Sequence, residues 1–126
     1  MQLSEDYNQG QYTINRYETD KIIINHKTYT RSLILSKDQL MPDWPPQTIA
    51  ELTSIHLQAI VKLSPEIVLL GTGGLQVFPH SKLFTAFYAQ NIGIEIMSTA
   101  AACRTFNVLA SEGRNVVAGL IIEPKE

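Results

Sequence analysis

A glycine-rich turn, Gly71-Thr72-Gly73-Gly74, is the first feature of the chain that could bind a ligand. It follows an apolar run at 66–70, typical of a strand covered on both faces. Glycines at such a turn let backbone N–H groups approach an anion closely. The dinucleotide-binding fingerprint is incomplete, because its third glycine is missing and no helix begins directly after the turn. Three alternatives stay open: dinucleotide binding, a general small-anion or ligand site, and a tight structural turn.

Two charged residues, Glu95 and Arg104, follow on the next strand and helix. Arg104 falls in the first turns of its helix, where the positive end of the helix dipole is unfavourable for a cation. It therefore needs an acceptor, and a strand glutamate that is partly buried needs a partner as well. The pattern favours a structural Glu95–Arg104 ion pair, with an arginine that binds a ligand as the alternative.

The turn and the start of this helix are expected to meet at one edge of the sheet. If strands 66–70 and 93–97 are adjacent and parallel, the loops after both strands emerge on the same side. There the turn and the helix would both offer backbone N–H groups, and the helix would add its positive dipole end. The predicted ligand-binding residues are Gly71, Thr72, Gly73, Gly74, Ser98, Thr99 and Arg104.

No catalytic set stands out in the sequence. Cys103 lies beside Arg104 near a helix start, which can lower the pKa of a thiol. Neither a Cys-x-x-Cys motif nor a phosphatase loop accompanies it, so a buried and inert thiol is predicted. The histidines His26, His56 and His80 lack the spacing of a metal pair. We therefore predict no catalytic residue, no metal and no cofactor.

The amino-terminal half predicts antiparallel strands and then a loop and a helix. Short connections separate the β-patterned runs 12–17, 22–25 and 28–36, as in an antiparallel meander. Prolines interrupt residues 37–52, where Trp44 is expected to pack onto the domain. Thr53 is expected to cap a helix at about 54–63.

The carboxyl-terminal half alternates strand and helix. Strands are predicted at 66–70, 92–97 and 114–122, with helices at 81–91, capped by Ser81, and at 99–110, capped by Ser98 or Thr99. This alternation of strands and helices indicates right-handed crossovers and parallel strands. The predicted fold is α/β: a three-layer mixed sheet in which the meander precedes a β-α-β-α-β unit. Residues 1–126 are expected to form a single domain, with 1–10 loosely ordered.

Composition excludes several classes of function. Ten basic and 12 acidic side chains give a formal net charge of −2, which argues against nucleic-acid binding and against a polybasic membrane contact. One cysteine cannot form an internal disulfide. The start of the chain is acidic and lacks an apolar block, and no apolar run is long enough to cross a bilayer. A cytoplasmic protein without membrane insertion is predicted.

The chain resembles a small α/β family. This family includes a mitochondrial complex I assembly factor (assembly factor three of the NADH:ubiquinone oxidoreductase alpha subcomplex), the adipogenesis-associated Mth-domain protein and many bacterial proteins. The resemblance implies a compact three-layer fold and no catalytic activity. Phe106 departs from it, since many members carry tyrosine there. The residues that carry the resemblance are Gly71-Thr72-Gly73, Phe78-Pro79, 93–97, Thr99, 101–109 and 112–114.

Two classes of function follow. The first, suggested by the resemblance and by the lack of a catalytic set, is a non-enzymatic interaction or assembly protein with a protein partner. The second is a small-ligand domain or an enzyme that uses Gly71 to Gly74, Thr99 and Arg104. A closed surface around Gly73 would favour the first class, and a pocket with converging donors would favour the second. A homo-oligomer stays an open alternative.

Overall fold

A computed structural model of the protein describes residues 11–124. The amino-terminal meander is present as a three-stranded antiparallel sheet of β1 (Ile14–Glu18), β2 (Lys21–Ile24) and β3 (Lys27–Tyr29). Its second turn holds Asn25 at a φ of 48°, as expected where a tight turn needs a left-handed residue.

A second sheet contains five strands: β4 (Leu33–Leu35), β5 (Leu40–Met41), β6 (Ile67–Gly71), β7 (Gly93–Met97) and β8 (Val116–Leu120). Their order is β5-β4-β8-β6-β7. Strand β6 lies between β8 and β7 and is parallel to both, whereas β4 runs antiparallel to β8. This confirms the prediction that the three carboxyl-terminal strands share one sheet.

The longer helices connect or flank these strands. They are α1 (Ser54–Val61), α2 (Thr85–Ala89) and α3 (Thr99–Ser111), and single 3₁₀ turns occupy Ile49–Glu51 and Ser81–Phe84. The crossover from β6 to β7 contains α2, and the crossover from β7 to β8 contains α3. The β-α-β-α-β unit is therefore confirmed.

The large sheet is covered on both faces. Along β6, Leu69 belongs to a core shared with α3 and the meander, whereas Val68 and Leu70 belong to a core on the opposite face, shared with α1 and α2. All three side chains are buried. A strand covered in this way is apolar at successive positions and not only at alternate ones, which explains the run at 66–70. The large sheet and the elements packed on its two faces form the three layers.

The predicted strand 28–36 is wrong as a single element. It divides into β3 and β4, which belong to different sheets. At the division Ser32 is buried, and its hydroxyl accepts a hydrogen bond from the N–H of Ile122 at 2.9 Å. The contact ties the chain to the large sheet at the point where it leaves the meander.

The helix predicted over 81–91 is also corrected. The segment forms a 3₁₀ turn followed by the short helix α2. His80, not Ser81, is the first cap, because its Nδ1 accepts from the N–H of Lys82 at 3.1 Å. The turn after α2 holds Asn91 at a φ of 58°, which agrees with the predicted end.

The proline-interrupted segment 37–52 is less irregular than expected, since it contains β5 and a 3₁₀ turn. Trp44 packs as predicted: it is buried and its Nε1 donates to the carbonyl of His56 at 3.2 Å. Thr53 is the N-cap of α1. Its N–H donates to His56 Nδ1 at 3.1 Å, which satisfies a backbone group at the helix start.

Gly119→Ala is expected to destabilise the protein. A Cβ at this position would lie 2.9 Å from both Ile60 Cδ1 and Trp44 Cη2, and the side chains of both residues are buried. Overpacking of this kind lowers the free energy of unfolding by about 1–3 kcal/mol, measurable by urea denaturation. Gly93→Ala is the matched control, since its Cβ would meet nothing closer than 3.6 Å. Equal stability of both variants would contradict this packing.

Candidate functional site

The two strands that lead to the candidate site are neighbours. Gly71 at the end of β6 lies opposite Met97 at the end of β7. The N–H of Thr72 then donates to the carbonyl of Met97 at 2.9 Å. The glycine turn and the start of α3 consequently leave the sheet side by side, so the structure brings Gly71–Gly74 together with Ser98–Thr99.

Thr99 forms most of the contacts between these segments. Its side chain is fully buried, at 0% exposure. The hydroxyl accepts from the N–H of Gly73 at 2.8 Å and donates to the carbonyl of Ile121 at 2.7 Å. The N–H of Thr99 donates back to the carbonyl of Gly73 at 2.9 Å. One residue thus joins the ends of β6 and β8 to the first turn of α3.

Gly71 makes this close approach feasible. A Cβ on Gly71 would lie only 2.9 Å from both the Cα and the Oγ1 of Thr99. Real Cβ atoms do not sit that close to backbone, so a side chain here would push α3 away from the sheet. The first glycine of the turn is therefore required by helix packing, without any ligand.

Three amino-terminal N–H groups of α3, those of Thr99, Ala101 and Ala102, have partners within the protein. Ser98 is the N-cap, as predicted, and its Oγ accepts from the N–H of Ala101 at 3.3 Å. The N–H of Ala102 donates to the carbonyl of Ser98 at 2.9 Å, and that of Thr99 is bound to Gly73. An anion at this helix start would have to compete with these bonds.

The remaining turn residues are held by Thr72 and by a carboxylate. Thr72 Oγ1 donates to the carbonyl of Leu75 and accepts from the N–H of Val77, the latter at 3.1 Å. The N–H of Gly74 donates to Glu123 Oε1 at 3.1 Å. Gly73 has a φ of +100°, and a Cβ there would fall 2.6 Å from Glu123 Cδ. The carboxylate of Glu123 therefore occupies the position where an anion was expected.

Sequence reasoning missed Glu123, although a signal was present. The residue follows β8, whose carboxyl end lies at the same sheet edge as those of β6 and β7 because all three strands are parallel. An acidic residue just beyond a third parallel strand is a candidate for any site at that edge.

Arg104 lies away from the glycine turn. It follows Thr99 by five residues, which places it roughly 140° further around the helix axis. Its side chain lines a different feature, a groove of about 260 Å³ between β1 and α3 that also contains Arg16 and Tyr17. The structure thus assembles six of the predicted site residues and separates the seventh, and ligand binding by this set stays a prediction.

The expected Glu95–Arg104 ion pair does not form. Both residues are exposed, and the ion pairs found among residues 11–124 are Arg16–Glu18, Lys21–Glu18 and Arg114–Glu66. The physical reason is the position of β7 at the sheet edge. Water solvates Glu95 there, so the strand glutamate needs no buried cation.

The groove between β1 and α3 is organised by Asn107. Its side-chain amide accepts from the N–H of Ile14 at 3.0 Å and donates to the carbonyl of Ile14 at 2.7 Å. At the same groove, burial raises the pKa of Tyr17, with smaller contributions from Cys103 and from the negative charge of Glu123. The two hydrogen bonds between Asn107 and Ile14 hold the meander against α3, the helix that begins at the glycine turn.

Cys103 is buried beneath this groove, at 3% exposure. Burial raises the pKa of its thiol to about 12, and the neighbouring Arg104 guanidinium only partly opposes this. The thiol is accordingly protonated at neutral pH and unsuited to nucleophilic chemistry. In the part of the chain that the structure describes, no cluster of three or more His, Cys, Asp or Glu side chains could hold a metal.

Comparison with known proteins gives the family. A family model described as "Protein of unknown function (DUF498/DUF598)" matches residues 14–121. The chain belongs to this family. The match spans both sheets and α1 to α3, and its limits enclose Thr72, Gly73 and Thr99.

Proteins similar to this chain carry varied names. The chain is 31% identical over 117 residues to a "13 kDa major membrane protein" of Francisella tularensis, covering 92% of this chain and 95% of that protein. It is 32% identical to the rat "NADH dehydrogenase [ubiquinone] 1 alpha subcomplex assembly factor 3", covering 98% of this chain and 67% of that protein. These matches confirm the resemblance seen in the sequence.

A solved structure supports the fold assignment. A Bordetella pertussis protein described as "a Mth938-like domain" superposes with a TM-score of 0.80 at 26% identity, covering 91% of this chain and 88% of that one. Among the described residues of the present protein, no helix is long and apolar enough to cross a membrane.

Native Cys103 is expected to react with iodoacetamide at least about 100-fold more slowly at pH 8.5 than the same thiol in urea, because few native molecules carry a thiolate.

The raised pKa of Cys103 also means that the folded state holds the thiol proton more tightly than the unfolded state. Its contribution to stability is therefore complete below about pH 9 and is lost as the pH rises toward 12. Cys103→Ala, which cannot ionise, should lose less stability over that range. Equal alkylation rates of Cys103 in the native and the denatured protein would contradict a buried, protonated thiol.

Proposed function

We propose that this protein acts by binding another protein and not by catalysis. The observation that carries the proposal is the loop 75–78, which follows the glycine turn and exposes three apolar side chains. Leu75 is 77% exposed, Val77 40% and Phe78 68%. Isolated apolar side chains are common on protein surfaces, but three within four consecutive positions are typical of an interaction site.

The loop is held in place by the same contacts that close the glycine turn. Thr72 Oγ1 bonds to both Leu75 and Val77, and Gln76 Nε2 donates to the carbonyl of Ile96 on β7 at 2.9 Å. A loop anchored on both sides loses little conformational entropy when a partner binds. The exposed side chains are therefore presented in a prepared arrangement.

Two further observations support an interaction protein. The donors of the glycine turn are bonded to Thr99 and Glu123, and the thiol of Cys103 is buried and protonated. The name of the rat relative, an assembly factor, suggests a role in bringing other proteins together. Our proposal includes a cytoplasmic location, and cell fractionation tests it, since the Francisella relative is named as a membrane protein.

Phe78→Ser combined with Leu75→Ser should reduce capture of the partner at least about tenfold, since each apolar anchor of this kind contributes roughly 1–2 kcal/mol. The measurement is affinity capture from the source organism with quantitative mass spectrometry of the co-purifying proteins. Ile55→Ser on α1 is the matched control, because Ile55 is also apolar and 74% exposed.

Equal loss in the control would show that the loop is not the contact. A wild-type protein that retains no other protein at a stoichiometric level would contradict the proposed function itself.

A further inference from the structure

The outer strand of the large sheet has an open edge. Among residues 11–124, β7 is last in the strand order and pairs only with β6. The N–H of Gly93 donates to Glu66, and the carbonyl of Met97 accepts from Thr72, so the odd-numbered residues of β7 bond toward β6. Because parallel strands alternate in this respect, Ile94 and Ile96 direct their N–H and C=O groups away from the sheet.

In the part of the chain that the structure describes, the outer edge of β7 is largely uncovered. Among residues 11–124, the carbonyl of Ile96 accepts the side chain of Gln76. Within the same range, the N–H groups of Ile94 and Ile96 and the carbonyl of Ile94 have no hydrogen-bond partner. Proteins usually protect such a strand with charge, proline or a covering segment, and β7 has one charge, Glu95. The opposite edge, β5, is only two residues long.

We propose that β7 binds an extended segment of a partner protein as a sixth strand, with a lysine or arginine of that segment opposite Glu95. This inference rests on the proposed function and names the kind of partner. Backbone pairing supplies affinity in such complexes, and alternate side chains supply specificity. Gln76 links the exposed apolar loop 75–78 to the same edge, so the loop and the strand form one continuous surface.

Electrostatic repulsion disfavours a second copy of this chain as the strand that pairs with β7. In the antiparallel register with the greatest overlap, Ile94 of one copy pairs with Ile96 of the other, which places Glu95 opposite Glu95. These residues would form a pair without direct hydrogen bonds, with Cα atoms roughly 4.5 Å apart. Like charges at this spacing are destabilising, whereas a basic residue opposite Glu95 is favourable.

Glu95 and its neighbours also define the pattern that the partner needs. Ile94 and Ile96 pack on the face that carries α1 and α2, and Glu95 is exposed. Because side chains alternate across a strand, the expected segment has apolar residues on both sides of its basic residue. A short apolar–basic–apolar sequence in extended conformation is the simplest ligand of this class.

Synthetic peptides test the proposal on the full chain. The probe is a seven-residue peptide, Thr-Thr-Val-Lys-Val-Thr-Thr, capped at both ends, and the readout is amide hydrogen exchange by NMR. The peptide should slow exchange at Ile94 and Ile96 at least about fivefold when it saturates the edge. Gly93 and Glu95, whose N–H groups already face β6, should change little.

Two matched controls make the test specific. The same peptide N-methylated at every residue has no backbone donor on either edge, so it should give no protection. A peptide with glutamate in place of lysine should bind roughly fivefold more weakly, and Glu95→Lys should reverse this order.

Protection by the N-methylated peptide, or an unchanged order of affinity in Glu95→Lys, would overturn the proposal. Concentration-dependent protection of Ile94 and Ile96 without peptide would also overturn it, by identifying a second copy as the occupant. If the loop variants lose partner capture but the peptides give no protection, the edge proposal fails alone. If wild-type capture finds no partner, the proposed function fails instead.

Discussion

The buried hydroxyl of Thr99 is the contact on which the carboxyl-terminal half of the protein depends. It accepts from the N–H of Gly73 and donates to the carbonyl of Ile121, so one oxygen satisfies backbone groups beyond two parallel strands. Inside a protein such bonds have no water to replace them, and removing one partner leaves the other unsatisfied. The short distance between α3 and Gly71 completes the arrangement, because only glycine fits there.

This arrangement explains why the glycine turn resembles a ligand site without offering one an open set of donors. Glycines at the end of a buried strand, followed by a helix start at the next strand, are typical of anion binding. Here the same residue types serve packing: Gly71 admits α3, and Gly73 bonds to Thr99 in both directions. Glu123 contributes the only negative group described beside the turn.

The closed turn has a consequence for the adjacent surface. Thr72 holds the loop that exposes Leu75 and Phe78, and the loop contacts β7 through Gln76. An anchored apolar loop beside an open strand edge is a surface suited to another polypeptide.

Local features of the fold were predictable from sequence. Ser98 caps α3 because a short polar side chain precedes an apolar helical pattern, and the run 66–70 indicated a strand covered on both faces. The split of 28–36 was not predictable, because it depends on Ser32 meeting Ile122, 90 residues later in the chain.

For the candidate site, the meeting of the turn with Thr99 followed from strand polarity, but the occupant of the expected anion position did not. Glu123 reaches the turn only because β8 lies beside β6, and strand order is a property of the whole sheet. The misplacement of Arg104 had a simpler origin. Arg104 is close to Thr99 in sequence but not in space, because five residues of helix turn a side chain about 140° around the axis.

Thr99→Val isolates the contribution of the buried hydroxyl, because valine keeps the shape of the side chain and removes only that group. We predict a loss of about 2–4 kcal/mol in the free energy of unfolding measured in urea, since two buried backbone groups lose their partner. Thr28→Val, at an exposed position of β3, should change stability by less than about 0.5 kcal/mol. A Thr99→Val protein as stable as the Thr28→Val control would contradict the account.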